Sequence, residues 1–197
     1  MKPELVLIGA GGHARAVTDV IELEDRFRIL GFLDAKLPPD TLVLGYPVLG
    51  GDDLIAEYAK KGIAMLITIG QIKSPAPRIG AFEQIVEAGG ELPRIISPRA
   101  HVSAHATIGA GTVVMHNVVL GPSASVARNC ILNTGAIVEH DVKIGNHCHI
   151  STGAIVNGGA IIGDEVFVGS GSVVREYVSV ARGTVVPAGQ RVMHSEG

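Results

Sequence analysis

Aromatic side chains and cysteines are scarce in this chain. Of its 197 residues, 4% are aromatic, none is tryptophan and only two are cysteine, yet 47% are hydrophobic. The composition favours a core of Val, Ile and Ala rather than of rings, without a disulfide framework. The net charge is −3 and no run of Lys or Arg occurs, so we expect neither nucleic acid nor an anionic membrane as partner.

Long hydrophobic runs are also missing. No stretch approaches the roughly eighteen apolar residues that a membrane-spanning helix needs. Residues 1–7 lack an uninterrupted apolar region of signal-peptide length. We therefore expect a soluble, cytoplasmic protein.

Aliphatic residues recur at every sixth position through the second half of the chain. Sixteen such positions are occupied by Val, Ile or Leu, running without a break from Val102 to Val192. A small or β-branched residue stands two positions before each of them, except at Gln190. This pattern is typical of a hexapeptide-repeat parallel β-helix, in which three hexads form one triangular coil of about eighteen residues. Residues eighteen apart should then stack on neighbouring coils about 4.8 Å apart.

The two cysteines, Cys130 and Cys148, are eighteen residues apart and both belong to the small inward series. We expect them to be buried free thiols rather than a disulfide or a metal site, because free Cys behaves as a small hydrophobic residue.

The first half of the chain alternates predicted strands and helices. Strands are expected at 4–9, 28–34 and 65–70, and helices at about 16–22, 51–61 and 76–89. This alternation predicts an α/β, Rossmann-like half domain with a small parallel sheet and ligands at the strand C-terminal ends. We expect two domains, 1–95 and 96–197, with Pro93 and Pro98 marking the boundary.

The first predicted turn is rich in glycine. It reads Gly9-Ala10-Gly11-Gly12-His13-Ala14 and leads into a helix whose first N–H groups could hold a diphosphate. Asp34, at the next strand's end, could accept a hydrogen bond from a base or ribose. NAD binding is an alternative, although the unit is about half the length of a dinucleotide fold. A packing turn with a capping or solvated Asp is another.

Three polar residues, Glu139, His140 and Asp141, interrupt the hexads between inward Val138 and inward Val142. They must point outward, because a narrow apolar bore cannot hold charge. A neighbouring carboxylate can orient an imidazole and suit it to act as a general base. A solvated turn histidine is the alternative interpretation.

The residues stacked one coil beyond this turn include Gly158 and Gly159. We expect these small residues to leave space above the His140 ring and to offer backbone N–H groups to an oxyanion. Another set of residues eighteen apart should stack in a column and could form the floor of a groove for an elongated ligand: His116, Thr134, Thr152, Ser170 and Ala188.

The remaining histidines give little support for a metal site. His101, His105, His147 and His194 are expected on the surface. Hexapeptide solenoids include zinc carbonic anhydrases, but the spacing of that family's outer histidine pair is not found here. We expect no metal.

The chain resembles a known family at two places. These are the Gly-Ala-Gly-Gly-His turn with Asp34, and the run from Asn133 to Asp141, which reads Asn-Thr-Gly-Ala-Ile-Val-Glu-His-Asp. Both are similar to sialic-acid O-acetyltransferase (NeuD) type sugar acyltransferases. The resemblance is greatest to the bacterial nucleotide-4-amino-sugar N-acetyltransferases of the UDP-N-acetylbacillosamine type.

The resemblance implies a homotrimer of left-handed β-helices with acetyl-CoA bound between subunits and a nucleotide sugar on the N-terminal domain. It implies that His140 is the general base, that Asp141 polarises it beside Glu139, and that Asn133 lines the site. The residues implied to contact acetyl-CoA are His149, Gly158, Ser170 and Ala188. The residues implied to contact the nucleotide sugar are Gly11, Gly12, His13, Asp34, Ala35 and Gly70.

The leading hypothesis is acetyl transfer from acetyl-CoA to the 4-amino group of a UDP-linked 4-amino-4,6-dideoxy sugar in polysaccharide or glycan synthesis. The amine would attack the thioester directly, since no nucleophilic Ser or Cys is placed at the cleft. A GDP-linked acceptor and O-acetylation of a sugar hydroxyl are alternatives. A trimeric scaffold that only binds a nucleotide sugar is the non-enzymatic alternative.

Overall fold

The computed structural model describes residues 1–72 and 74–195. The chain divides into two compact units, Met1–Pro93 and Arg94–Gly197. Across the described residues, no helix combines the length and the apolar character needed to cross a membrane.

The N-terminal unit is an α/β fold built on a five-stranded sheet of order β3-β4-β2-β1-β5. Its strands are β1 Glu4–Ile8, β2 Arg28–Leu33, β3 Leu42–Val43, β4 Tyr46–Gly50 and β5 Ala64–Ile67. Its helices are α1 Gly12–Glu24, α2 Ile55–Lys60 and α3 Ala76–Glu87, with a short 3₁₀ turn at Asp52–Leu54 before α2.

The central strands are buried on both faces, as expected for parallel strands covered by helices. Val6, Ile8, Leu33, Met65 and Ile67 share one cluster at 0% exposure. Strands β2, β1 and β5 run parallel, so their C-terminal ends meet at one edge of the sheet.

The predicted parallel sheet carries one antiparallel strand at its edge. Strand β3 pairs antiparallel with β4, closing a hairpin through Leu44 and Gly45, whose φ angles are 51° and 85°. Two successive positive φ angles are typical of tight hairpin turns. Strand β3 has two residues, too few for a visible alternation of polar and apolar positions.

The C-terminal unit is a left-handed β-helix with three parallel faces. The first face holds β6 Ile95–Ile96, β9 Val113–Val114, β12 Ile131–Leu132, β15 His149–Ile150, β18 Phe167–Val168 and β21 Val185–Val186. The second holds β7 His101–Val102, β10 Val119–Leu120, β13 Ile137–Val138, β16 Ile155–Val156, β19 Val173–Val174 and β22 Arg191–Val192. The third holds β8 Thr107–Ile108, β11 Ser125–Val126, β14 Lys143–Ile144, β17 Ile161–Ile162 and β20 Ser179–Val180.

The predicted eighteen-residue stacking is confirmed by the strand register. Ile137 pairs with Val119 on one side and with Ile155 on the other, and every strand of the helix follows the same rule. The first strand, Ile95–Ile96, pairs with Val113–Val114. The repeat therefore begins one hexad before Val102.

The bore of the β-helix is filled by the predicted inward residues. Cys130, Cys148, Ala136 and Ala154 are all at 0% exposure. Both cysteines are free thiols, and the Cys130 and Cys148 thiols donate to the carbonyls of Gly145 and Gly163. A hydrogen bond with Cys130, together with burial, raises the pKa of the Cys148 thiol far above its ordinary range.

Four-residue turns join the faces at three corners. The first corner, between the first and second faces, comprises 97–100, 115–118, 133–136, 151–154, 169–172 and 187–190. The second corner, between the second and third faces, comprises 103–106, 121–124, 139–142, 157–160 and 175–178. The third corner comprises 109–112, 127–130, 145–148, 163–166 and 181–184.

Candidate active site

A pocket of about 820 Å³ opens in the N-terminal unit where strands β1, β2, β4 and β5 end. This is the edge at which open α/β sheets bind ligands. All six residues predicted to contact a nucleotide sugar line this one pocket: Gly11, Gly12, His13, Asp34, Ala35 and Gly70.

The glycines of the first turn serve different purposes. Gly9 has φ +95°, and a Cβ there would lie 2.6 Å from Ile69, so its backbone conformation and close packing both require glycine. A Cβ on Gly11 or Gly12 would meet nothing within 4 Å. These two residues therefore leave open the pocket in front of the α1 N-terminus, where backbone N–H groups favour an anion.

The Asp34 carboxylate is hydrogen-bonded to the backbone of two segments that border the pocket. Its Oδ2 accepts the Ala10 N–H at 2.8 Å, and its Oδ1 accepts the N–H groups of Lys36 at 2.8 Å and Leu37 at 3.2 Å. Burial opposes ionisation of this carboxyl, but the three backbone donors outweigh it, and the pKa of Asp34 is lowered. The carboxylate thus ties the glycine turn to the loop that follows β2.

Sequence reasoning missed other residues of the pocket, among them Lys36, Asp52 and Thr68. Thr68 donates its hydroxyl hydrogen to the carbonyls of Ile8 and Gly9 and so connects the ends of β1 and β5. Burial and the negative charge of Asp34 raise the pKa of Asp52. Each of these residues follows a strand end, which is the signal that could have identified them.

His140 and Asp141 form a hydrogen-bonded pair at the second corner. His140 Nδ1 and Asp141 Oδ2 are 2.8 Å apart, and the two side chains are 53% and 63% exposed. Because a carboxylate can only accept, Nδ1 carries the proton, and Nε2 is left to accept one. Glu139 is exposed, and within the described chain the carboxylate that accepts a hydrogen bond from this ring is that of Asp141.

The expectation of open space between His140 and Gly158 is wrong. Gly158 is buried, and a Cβ built on it would lie 2.6 Å from both Cε1 and Nε2 of His140. The imidazole therefore packs directly on the Gly158 backbone. Gly158 is not among the residues with positive φ, so it is the ring, not the backbone conformation, that excludes a side chain.

Asn133 and His149 form a second group, at the first corner and first face. Asn133 Oδ1 accepts the Thr134 N–H at 2.8 Å, which directs the amide Nδ2 towards His149 Nε2 at 3.1 Å. His149 is 5% exposed and meets Phe167 edge to face, with ring centroids 5.1 Å apart. The Asn133 amide is thus held in one orientation.

The column of residues that was predicted to line a groove, from His116 to Ala188, runs along the first corner. His116 and Thr134 are half-buried, whereas Thr152, Ser170 and Ala188 are exposed. Ser170 Oγ lies 2.9 Å from Ser151 Oγ. His140 and Gly158 lie at the second corner, so the second face separates them from the Asn133 group within one subunit.

One surface histidine was placed wrongly. His147 is half-buried, and its Nδ1 lies 2.9 Å from Asn129 Nδ2. In residues 1–72 and 74–195, no group of three or more His, Cys, Asp or Glu side chains is arranged to hold a metal ion.

Comparisons with known proteins connect both units to one family. Residues 4–75 match the PglD N-terminal domain, and residues 141–176 match the bacterial transferase hexapeptide (six repeats). The acetyltransferase domain of PglB from Neisseria gonorrhoeae FA1090 has a TM-score of 0.92 at 30% identity, covering 100% of this chain and 94% of that chain. This chain belongs to the NeuD-type family of sugar acetyltransferases.

Two further structures of this family were solved with ligands. The same PglB domain in complex with acetyl coenzyme A has a TM-score of 0.88 at 31% identity, covering 96% of this chain and 90% of that one. A His→Asn mutant of perosamine N-acetyltransferase from Caulobacter crescentus, in complex with CoA and GDP-perosamine, has a TM-score of 0.91 at 30% identity, covering 98% and 89%. No curated protein sequence matches this chain significantly.

Proposed function

We propose that this protein transfers an acetyl group from acetyl-CoA to the 4-amino group of a UDP-linked 4-amino-4,6-dideoxy sugar, with His140 as general base. The observation that carries the proposal is the 2.8 Å hydrogen bond from His140 Nδ1 to Asp141 Oδ2. This hydrogen bond sets the tautomer in which Nε2 can accept a proton. The His140 ring is half exposed at the second corner, so a substrate can reach it.

In the proposed reaction the sugar amine attacks the carbonyl carbon of the thioester. The amine proton passes to His140 Nε2, and the C–S bond breaks as the tetrahedral intermediate collapses, releasing CoA. Asp141 stabilises the imidazolium that forms. The Gly158 N–H makes no hydrogen bond within the described part of the chain and belongs to the residue on which the imidazole packs, which supports a role in stabilising the oxyanion.

The proposed acceptor site is the N-terminal pocket. The α1 N-terminus, framed by Gly11, Gly12 and His13, suits a diphosphate, and Lys36 adds a cation to the lining. Asp34, Ala35 and Gly70 line the same pocket and would face the nucleoside. The relative solved with GDP-perosamine supports a nucleotide-linked 4-amino sugar and makes a GDP-linked acceptor the second candidate.

A homotrimer is proposed as the active form. The outward side chains of β10, β13, β16 and β19 form an apolar ladder on the second face: Val119, Ile137, Ile155 and Val173. Packing this face against a neighbouring copy would bring the second corner of one subunit beside the first corner of the next. His140 and Gly158 would then meet the Asn133–His149 pair and the Ser170 and Ala188 column across one groove, which we propose binds acetyl-CoA.

The test is CoA release, followed by a thiol reagent, with UDP-4-amino, GDP-4-amino and hydroxyl-bearing nucleotide sugars as acceptors. We expect turnover with the UDP-linked amine, and loss of turnover when the 4-amino group is replaced by a hydroxyl. Higher kcat/KM with the GDP-linked amine would establish the second candidate. Turnover only with hydroxyl acceptors would contradict the proposal.

A further inference from the structure

Tyr177 is an unusual residue for its position in the β-helix. From the corner at 109–112 onward, the third residue of each corner turn adopts a left-handed conformation, and all of these positions except His147, Glu165 and Tyr177 hold Gly, Asn, Asp or Ser. Tyr177 has φ +56° and is 76% exposed. A bulky side chain in this conformation is strained, and such strain is typical of functional positions. Turn chemistry, which favours Gly and Asn at such positions, does not account for a tyrosine here.

The Tyr177 ring lies against a glycine next to the proposed catalytic histidine. A Cβ on Gly159 would lie 2.5 Å from both Cδ1 and Cε1 of Tyr177, and one on Gly158 would lie 2.6 Å from the His140 ring. His140 approaches this glycine pair from the preceding coil and Tyr177 from the following coil. From backbone dimensions, the nearest atoms of the two rings are at most about 12 Å apart. The two rings therefore flank one glycine pair at the same corner, and a ligand that extends from His140 across this distance meets the Tyr177 ring.

We propose that Tyr177 forms one wall of the acyl site, where its ring packs against the acetyl group and the adjoining pantetheine chain and disfavours longer acyl groups. This inference rests on the proposed function. Tyr177 lies on the C-terminal side of His140, as do Ser170 and Ala188 in the proposed acetyl-CoA column. An aromatic face suits methyl and methylene groups, and its area contributes to binding without a charge.

Two substitutions separate the ring from its hydroxyl and from backbone strain. Tyr177→Phe keeps the ring. Tyr177→Asn removes it and installs a residue that tolerates the left-handed conformation. We expect Tyr177→Asn to fold with an unchanged or higher Tm, to bind CoA about tenfold more weakly in calorimetry, and to lose about tenfold of the acetyl-over-propionyl preference in kcat/KM. Tyr177→Phe should stay within about twofold of wild type in both measurements.

The results distinguish this inference from the proposed function. Wild-type protein that binds CoA, with Tyr177→Asn unchanged in CoA affinity and acyl preference, would overturn the role of Tyr177 alone. A raised KM for the sugar with unchanged CoA affinity would place the ring at the acceptor and would also overturn it. Wild-type protein that does not bind CoA would overturn the proposed function itself and this inference with it.

Discussion

The two units position their functional side chains by different means. In the β-helix the backbone repeats, so His140 occupies the same corner position as Pro122, Gly158 and Glu176, and differs from them only in residue type. In the α/β unit the pocket forms where strands end, and Asp34 itself holds the surrounding backbone through three N–H donors. Substitutions at this corner position, where φ is not positive, should therefore change chemistry and spare folding, whereas substitutions in the pocket should change both.

The largest effect is expected for His140→Ala. Loss of a general base lowers rates by about 10²- to 10⁴-fold, and a side chain that is 53% exposed contributes little to folding. We expect kcat to fall by that factor with Tm unchanged in calorimetry. Glu139→Gln is the matched control, because Glu139 does not hydrogen-bond the ring in the described chain, and it should stay within about threefold. Activity that is retained in His140→Ala but lost in Glu139→Gln would move the base to Glu139.

Ile155→Asp tests whether the second face is a subunit interface. A charge in the middle of the apolar ladder would be desolvated in the proposed trimer, so we expect light scattering to report monomers and activity to fall about tenfold or more. Ile161→Asp places the same charge on the third face, at a residue that is 47% exposed, and should leave the proposed trimer intact. Dissociation by Ile161→Asp alone would assign the interface to the third face.

Gly158→Ala and Gly183→Ala should have opposite effects. At Gly158 the φ angle suits alanine, but the Cβ would displace the His140 ring, so we expect kcat to fall by about 10- to 100-fold with a small change in Tm. At Gly183, φ is +72° and nothing lies within 4 Å, so alanine should lower stability by about 1 kcal/mol and leave kcat unchanged. A large loss of Tm in Gly158→Ala would show that its backbone, not the ring, requires glycine.

The smallest effects are expected for the two pocket carboxylates. The pKa of Asp34 is lowered, so its stabilising contribution is present above its ordinary value of 3.8 and is lost as the pH falls through the folded value. The pKa of Asp52 is raised, so its ionised form at neutral pH is destabilising. At pH 7 we expect Asp34→Asn to lower Tm by about 3 °C and Asp52→Asn to raise it by about 1 °C.

Thermal melting at a series of pH values tests the contribution of the Asp34 charge. The difference between wild type and Asp34→Asn should shrink as the pH falls below 3.8. A difference that stays constant with pH would mean that the backbone hydrogen bonds, rather than the charge, carry the effect. Asp34→Asn should also raise the KM for the sugar nucleotide, since it loosens the glycine turn.

The β-helix was predicted almost completely from the sequence. In a β-helix the length of the sequence repeat also determines which residues pair between neighbouring coils. Once the hexads are aligned, the partner of Ile137 follows by adding eighteen, and both cysteines fall in the bore. The directions of side chains did not follow in the same way. Spacing put Gly158 beside His140 but could not tell that the ring lies on the glycine, because a rotamer is set by local packing.

The α/β unit was predicted less completely. Its main strands carry long apolar runs, but the hairpin between β3 and β4 turns at Leu44–Gly45 and has too few residues to reveal a period. Asp34 was expected at the pocket because it follows β2, and it is there. Lys36 and Asp52 also follow strand ends, but they were not expected: Lys36 lies three residues beyond β2, and the short strand β4 before Asp52 was not predicted. Asn133 was expected in the site, but its hydrogen bond to His149, sixteen residues away, does not follow from the eighteen-residue rule.

Because residues eighteen apart pair on neighbouring coils, the length of the β-helix along its axis can change only in steps of one coil. Inserting eighteen residues at a corner would add one coil and shift all later residues by about 4.8 Å along the axis, each keeping its face. Inserting six would carry every later residue to the next face, so Ser170 and Ala188 would leave the first corner for the second. An architecture of this kind can therefore adjust to a longer or shorter ligand only in whole coils, and the number of coils between two side chains acts as a ruler.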